Sequence, residues 1–159
     1  MPRRKASASA DAQGPGLLDL STSRRLHVVG VGGAGMSAIA TVLAQMGHEV
    51  SGSDLKDSRN IDRLRLVGVD VRIGHDGANV SKSLDAVIMS SAIPSTNAEV
   101  EAATAAGVRV MRRAEALTAI VATRRSIAVA GSHGKTTTSS MLALCLRAAG
   151  WHPDRVAIP

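Results

Sequence analysis

Gly131-Ser132-His133-Gly134-Lys135-Thr136-Thr137-Thr138 holds the residue types that bind phosphate. Glycines let backbone N–H groups close around an anion. A lysine reaches the outer phosphates, and the first threonine hydroxyl can hold Mg²⁺. The loop departs from the common G-x-x-x-x-G-K-[ST] pattern, because Val129 stands where the first glycine would fall. Its setting supports the reading. The apolar segment 126–130 before it is predicted to be a strand, and the amphipathic stretch 135–149 after it a helix. The start of that helix would add partial positive charge at the same place.

A second glycine loop, Gly30-Val31-Gly32-Gly33-Ala34-Gly35, stands about 100 residues earlier. It follows Leu26-His27-Val28-Val29, a buried strand by composition, and opens a stretch with Met36, Ile39, Leu43 and Met46 at helical spacing. This is G-x-G-x-x-G between a strand and a helix, as that motif requires. The first glycine is expected to make a tight turn, the second to let backbone approach a phosphate, and the third to let helix pack closely on strand. Asp54 ends the next strand, 49–53, where an acid often contacts a ribose hydroxyl. Alone, the loop is compatible with NAD, or with glycines that serve packing only.

The elements that position these loops alternate. A helix is predicted over 58–67 with Ile61 and Leu64 inward, then strands over 69–73 and 84–89. A helix over 97–106 stops at Gly107, a strand covers 108–111, and a helix covers 113–121. Repeated βα units imply an α/β fold with a parallel sheet and helices on both faces. Ligands of such sheets lie beyond the carboxyl ends of the strands. The 30–35 loop, Ser53-Asp54, His75-Asp76 and Ser90-Ser91 all fall at that edge.

Composition narrows the function classes. The chain has 159 residues, enough for one full domain and part of a second. One Trp and no Phe or Tyr leave no aromatic platform for single-stranded nucleic acid. The net charge of +6 is scattered, with Arg3, Arg4 and Lys5 near the start, so nucleic acid is not an expected partner. The lone cysteine, Cys145, falls beside Met141, Leu142 and Leu144 and is expected to be a small buried core residue. No internal disulfide is possible, which fits the cytoplasm. No segment has the length of a membrane span. Residues 1–23 read as a disordered tail, with a transit peptide as the alternative.

A dehydrogenase would use the first loop and leave Gly-Lys-Thr-Thr idle; a simple ATPase would do the reverse. A kinase-like or ligase-like enzyme uses both. At this point several stretches resemble the Mur ligases that act on UDP-N-acetylmuramate. They are Val29 through Ser37, Val50-Ser51-Gly52-Ser53-Asp54, Ser90-Ser91-Ala92-Ile93-Pro94 with Asn97 and Glu99, Arg113-Ala114-Glu115-Ala116-Leu117, and the 131–138 loop. The resemblance covers 26–151 and accounts for the missing glycine of the phosphate loop.

The resemblance implies a Rossmann-like UDP-substrate domain over 24–123 and, over 124–159, the first strand, P-loop and helix of an ATPase domain. It implies that the muramate carboxylate attacks the γ-phosphate of ATP and that L-alanine then attacks the acyl phosphate. Ligation of murein tripeptide is the alternative, and a non-catalytic UDP-sugar module is the competing class. The ATP loop would comprise Gly131, Ser132, His133, Gly134, Lys135, Thr136 and Thr137. Lys135 and His133 would be catalytic, and Thr136 would hold Mg²⁺. Gly32, Gly33, Ala34, Gly35, Ser53, Asp54, Ser90 and Ser91 would hold the UDP-substrate. The family's remaining chemistry lies beyond the segments seen here, so a fragment, inactive by itself, is expected. Oligomeric state is not readable.

Overall fold

The computed structural model describes residues 16–123 and 126–151. Among these residues the strands are β1 Arg25–Val29, β2 Glu49–Asp54, β3 Asp70–Ile73, β4 Ala86–Met89 and β5 Arg109–Arg112. The α-helices among them are α1 Ala34–Gln45, α2 Arg59–Leu66, α3 Ala98–Ala105, α4 Arg113–Ala122 and α5 Lys135–Ala148. A short 3-10 helix, Gly77–Asn79, was not expected; Asp76 starts it by accepting the Ala78 N–H at 2.9 Å.

All strand pairs are parallel, in the order β3-β2-β1-β4-β5. The chain therefore reverses direction across the sheet between β1 and β4, where a crevice opens at the strands' carboxyl ends. Each element has a local cause. The four consecutive buried residues of β1, Leu26, His27, Val28 and Val29, suit a strand covered on both faces. Asn97 caps α3 by accepting the Glu99 N–H at 2.9 Å. Glu115 reaches back to the Arg112 N–H at 2.6 Å and fixes the start of α4.

The larger core lies on one face. Leu26 and Val28 of β1 meet Met36, Ile39 and Leu43 of α1, Leu64 of α2, and Ala116, Ala119 and Ile120 of α4. The other face holds a smaller apolar cluster, Val29, Val87, Ala103 and Val108, under α3. Beside it, where β1 and β2 present His27, Ser51 and Ser53, that face is polar. A groove of about 290 Å³ lies there, lined by residues including Arg25, His27, Ser51, Asp70 and Arg72, and neither glycine loop borders it.

Gly52 brings the larger core tight against the sheet. A methyl group on it would come within 2.9 Å of the Val28 carbonyl and 3.0 Å of Val31 Cβ. Backbone of a central strand cannot yield cheaply. Gly52→Ala should destabilise the chain by about 1–3 kcal/mol, read as a lower midpoint in urea unfolding; an unchanged midpoint would show that the sheet adjusts freely.

Three sequence expectations need correction. Leu20 is buried in the larger core and the Arg109 side chain donates to the Gly16 carbonyl, so order begins before residue 24. The rest of the expected tail, 1–15, lies outside the described residues. Segment 126–130 is not a strand: a strand needs a partner ladder, and none of the described residues supplies one. Cys145 is exposed, as are Met141 and Leu144, because nothing among the described residues packs on that side of α5.

Candidate functional site

The loop after β1 is built around Gly30, whose φ of +75° turns the chain sharply out of the strand. The Ser53 carbonyl accepts the Gly30 and Val31 N–H groups at 2.9 and 3.0 Å. Gly33 caps α1 without help from a side chain. The N–H groups of Ala34 and Gly35 have no acceptor among the described residues. They form the positive end of a twelve-residue helix, a fit for an anion.

The second and third glycines do something other than the motif suggests. A methyl on Gly32 would lie 2.9 Å from Asp54 Oδ2, and one on Gly35 would lie 2.7 Å from Arg113 Nη1. Gly32 thus makes room for Asp54 and Gly35 for Arg113. The close approach of core to strand expected of Gly35 belongs to Gly52.

Of the expected substrate contacts, Gly32, Gly33, Ala34, Gly35 and Asp54 gather at this crevice. Asp54 Oδ2 accepts the Gly32 N–H at 2.9 Å, and Asn60 Nδ2 donates to the Gly32 carbonyl at 3.0 Å. Ser90 stands near Gly30 across the crevice, with Ile93 closer. Its hydroxyl accepts the Ala92 N–H at 3.0 Å and so shapes the turn, while Ser91 is exposed. Ser53 is different. Its side chain is fully buried on the opposite face of the sheet and cannot touch a ligand in the crevice.

Ser53 instead belongs to a buried network that sequence reasoning missed. Glu99, fully buried at the start of α3, accepts from Ser53 Oγ at 2.5 Å, Asn79 Nδ2 at 2.6 Å and His75 Nδ1 at 3.1 Å. His27 Nε2 lies 3.5 Å from its Oε1, an electrostatic contact and too long for a direct hydrogen bond. Burial pushes the Glu99 pKa up, but His27, Ser53 and Asn79 outweigh it and hold the group down at about 2. The network pins α3 and the 77–79 turn to the sheet beside the crevice. A signal was present: polar residues at alternate positions of two central strands, 27 in β1 and 51 and 53 in β2, need a buried partner.

At the second loop, Gly134 has φ +76° and caps α5. Lys135 Nζ folds back onto the Gly131 and Ser132 carbonyls at 2.8 and 3.4 Å. His133, Thr136 and Thr137 are exposed. Thr136 follows Lys135 in the first turn of α5, and its hydroxyl is a hard donor that suits Mg²⁺ beside phosphate oxygens. Among the described residues no cluster of acidic, histidine or cysteine side chains could hold a metal alone. No described helix is long and apolar enough to cross a membrane.

Comparisons with known proteins agree with this layout. Residues 25–125 match the model of the Mur ligase family, catalytic domain. The UDP-N-acetylmuramate–L-alanine ligase of Kineococcus radiotolerans is 52% identical over 132 residues, which are 82% of this chain and 28% of that protein. The ligase of the same name from Rubrobacter xylanophilus is 54% identical over 129 residues, 81% of this chain and 29% of its own length. The chain thus spans under a third of either relative. Among solved structures, the UDP-N-acetylmuramate–alanine ligase of Thermotoga maritima superposes with a TM-score of 0.71 at 30% identity, covering 80% of this chain and 30% of that one. The murein peptide ligase of Psychrobacter arcticus gives 0.73 at 32%, covering 80% and 27%.

Proposed function

The chain belongs to the Mur ligase family, and from that premise we propose that it serves ATP-dependent ligation of L-alanine to UDP-N-acetylmuramate in peptidoglycan precursor synthesis in the cytoplasm. Residues 24–123 hold the UDP-substrate, and 124–159 open the ATP-binding domain. One observation carries the reading. A dinucleotide-type glycine loop at the sheet's switch point and a Gly-Lys-Thr-Thr loop heading α5 occur in one chain. A dehydrogenase needs only the first.

The residues divide the work. Gly33, Ala34 and Gly35 receive the diphosphate at the start of α1, and Ser91 lies at the rim of the same crevice. The muramate carboxylate attacks the γ-phosphorus of ATP and ADP leaves. The amine of L-alanine attacks the acyl carbon and phosphate leaves. Lys135 neutralises charge on the transferring phosphoryl group, Thr137 adds a phosphate contact, and His133 faces the acceptor. Mg²⁺, when bound, offsets phosphate charge, and the Thr136 hydroxyl is the group here that would hold it.

Calorimetric titration of the chain separates the two nucleotide readings. UDP-N-acetylmuramate should bind saturably and NAD should not, because Asp54 is already engaged with Gly32 and Lys56 and cannot serve a ribose diol freely. NAD binding without UDP-sugar binding would overturn the proposal. The fold is as similar to the murein peptide ligase of P. arcticus, which keeps a tripeptide as the alternative acceptor. ADP release by the full-length gene product, with L-alanine or with the tripeptide, decides between them.

A further inference from the structure

The mouth of the first glycine loop is electrostatically lopsided. On the β2 side, Asp54 Oδ2 takes the Gly32 N–H at 2.9 Å and Oδ1 takes the Lys56 N–H at 3.3 Å. That carboxylate repels a phosphate and leaves Gly32 no N–H to offer one. On the α4 side, the N–H groups of Ala34 and Gly35 are free among the described residues. Arg113, the first residue of α4, lies against that same turn, its Nη1 2.7 Å and its Cδ 3.7 Å from where a Gly35 methyl would sit. The arginine is half-buried, and no carboxylate among the described residues pairs with it. A cation in a first turn also opposes the dipole of its own helix, so the stability of α4 gives no reason for an arginine there.

We infer that Arg113 is the diphosphate-binding cation of the UDP-sugar site. Its guanidinium and the Ala34 and Gly35 N–H groups take the phosphate oxygens, while Asp54 keeps the anion off the β2 side. A guanidinium fork matches two phosphate oxygens, which an ammonium does not. Gly35 then has a stated purpose: any larger residue pushes the fork aside. The inference rests on the UDP-sugar reading above and adds to it a side chain that the glycine motif does not contain.

The test is calorimetric titration of the 159-residue chain with UDP-N-acetylmuramate. Arg113→Ala should weaken binding about 10- to 100-fold, as for one lost charged hydrogen-bonding partner, and Arg113→Lys should fall between it and wild type. Gly35→Ala should hold or raise the thermal midpoint, since alanine favours a helix over glycine, yet weaken binding by displacing the guanidinium. In the double variant Gly35→Ala should add nothing to Arg113→Ala; full additivity would mean that the methyl acts on the ligand directly and that Arg113 is not the link. Wild-type binding with Arg113→Ala within twofold of it overturns the role of Arg113 and leaves the UDP-sugar reading standing. Absence of UDP-sugar binding by wild type overturns both. If Arg113→Ala unfolds, Arg113→Lys and Gly35→Ala carry the test, and binding by both at wild-type strength overturns the inference.

Discussion

Lys135→Ala is expected to lower ATP-dependent ligation by the full-length gene product at least about 100-fold while leaving the fold intact. The ammonium is exposed, and its hydrogen bonds run to the Gly131 and Ser132 carbonyls of its own loop. It supports no core contact, so its removal should change stability by no more than about 0.5 kcal/mol. The same position places it where the outer phosphates of a nucleotide would lie against the start of α5. A bound phosphate would take Nζ from those two carbonyls. The interaction strengthens as charge spreads over the transferring phosphoryl oxygens, so turnover suffers more than ground-state binding. Removing one preorganised donor of this kind costs about 10²–10³ in turnover. ADP release measures the loss, and a urea unfolding curve checks the fold. A variant that keeps more than about half of wild-type turnover would show that this loop does not serve ATP.

The sheet and the first glycine loop were legible because their signals are local. Apolar runs of strand length, helical spacing after Gly35, a helix start at Asn97 and a stop at Gly107 depend on near neighbours in sequence, and each element appeared within a residue or two of its expected bounds. What was not legible depends on distant partners. Segment 126–130 has the composition of a strand, but composition cannot supply the neighbouring strand that pairing needs. Cys145 has the neighbours of a core residue, yet burial requires something to pack on them. Ser53 looked like a ligand contact because it falls with Asp54 at the carboxyl edge of the sheet, in a stretch that resembles the family. Successive strand residues point to opposite faces, so the two side chains had to part, one to the crevice and one to Glu99. Arg113 opened a stretch that resembles the family but carried no role of its own. Only the return of β5 beside β4 brings the start of α4 against the turn at Gly35, and no spacing along the chain reports that.

The polar network behind the crevice should be the most sensitive point of the fold. Glu99→Ala removes the acceptor shared by Ser53, His75 and Asn79 and leaves their donors buried beside a void. Breaking a buried charged network from one side costs about 3–5 kcal/mol, a large share of the stability of a domain this size. Glu99→Gln keeps the volume and part of the hydrogen bonding, loses the charge, and should cost less. The two variants also give the pH dependence a sign. The folded state holds Glu99 at about 2, below its ordinary value of 4.5. Between those values the unfolded chain binds a proton that the folded chain does not. The contribution of the ionised carboxylate is therefore complete above about pH 5 and is lost as pH falls towards 2. Urea unfolding of wild type and Glu99→Gln from pH 6 to pH 3 tests this with other carboxylates common to both proteins. The gap in stability between them should narrow steadily as pH falls. A gap that stays constant over that range would mean that Glu99 binds protons alike in the folded and unfolded chain, so that its charge adds nothing to stability, and a gap that widens as pH falls would mean that the folded protein keeps Glu99 protonated.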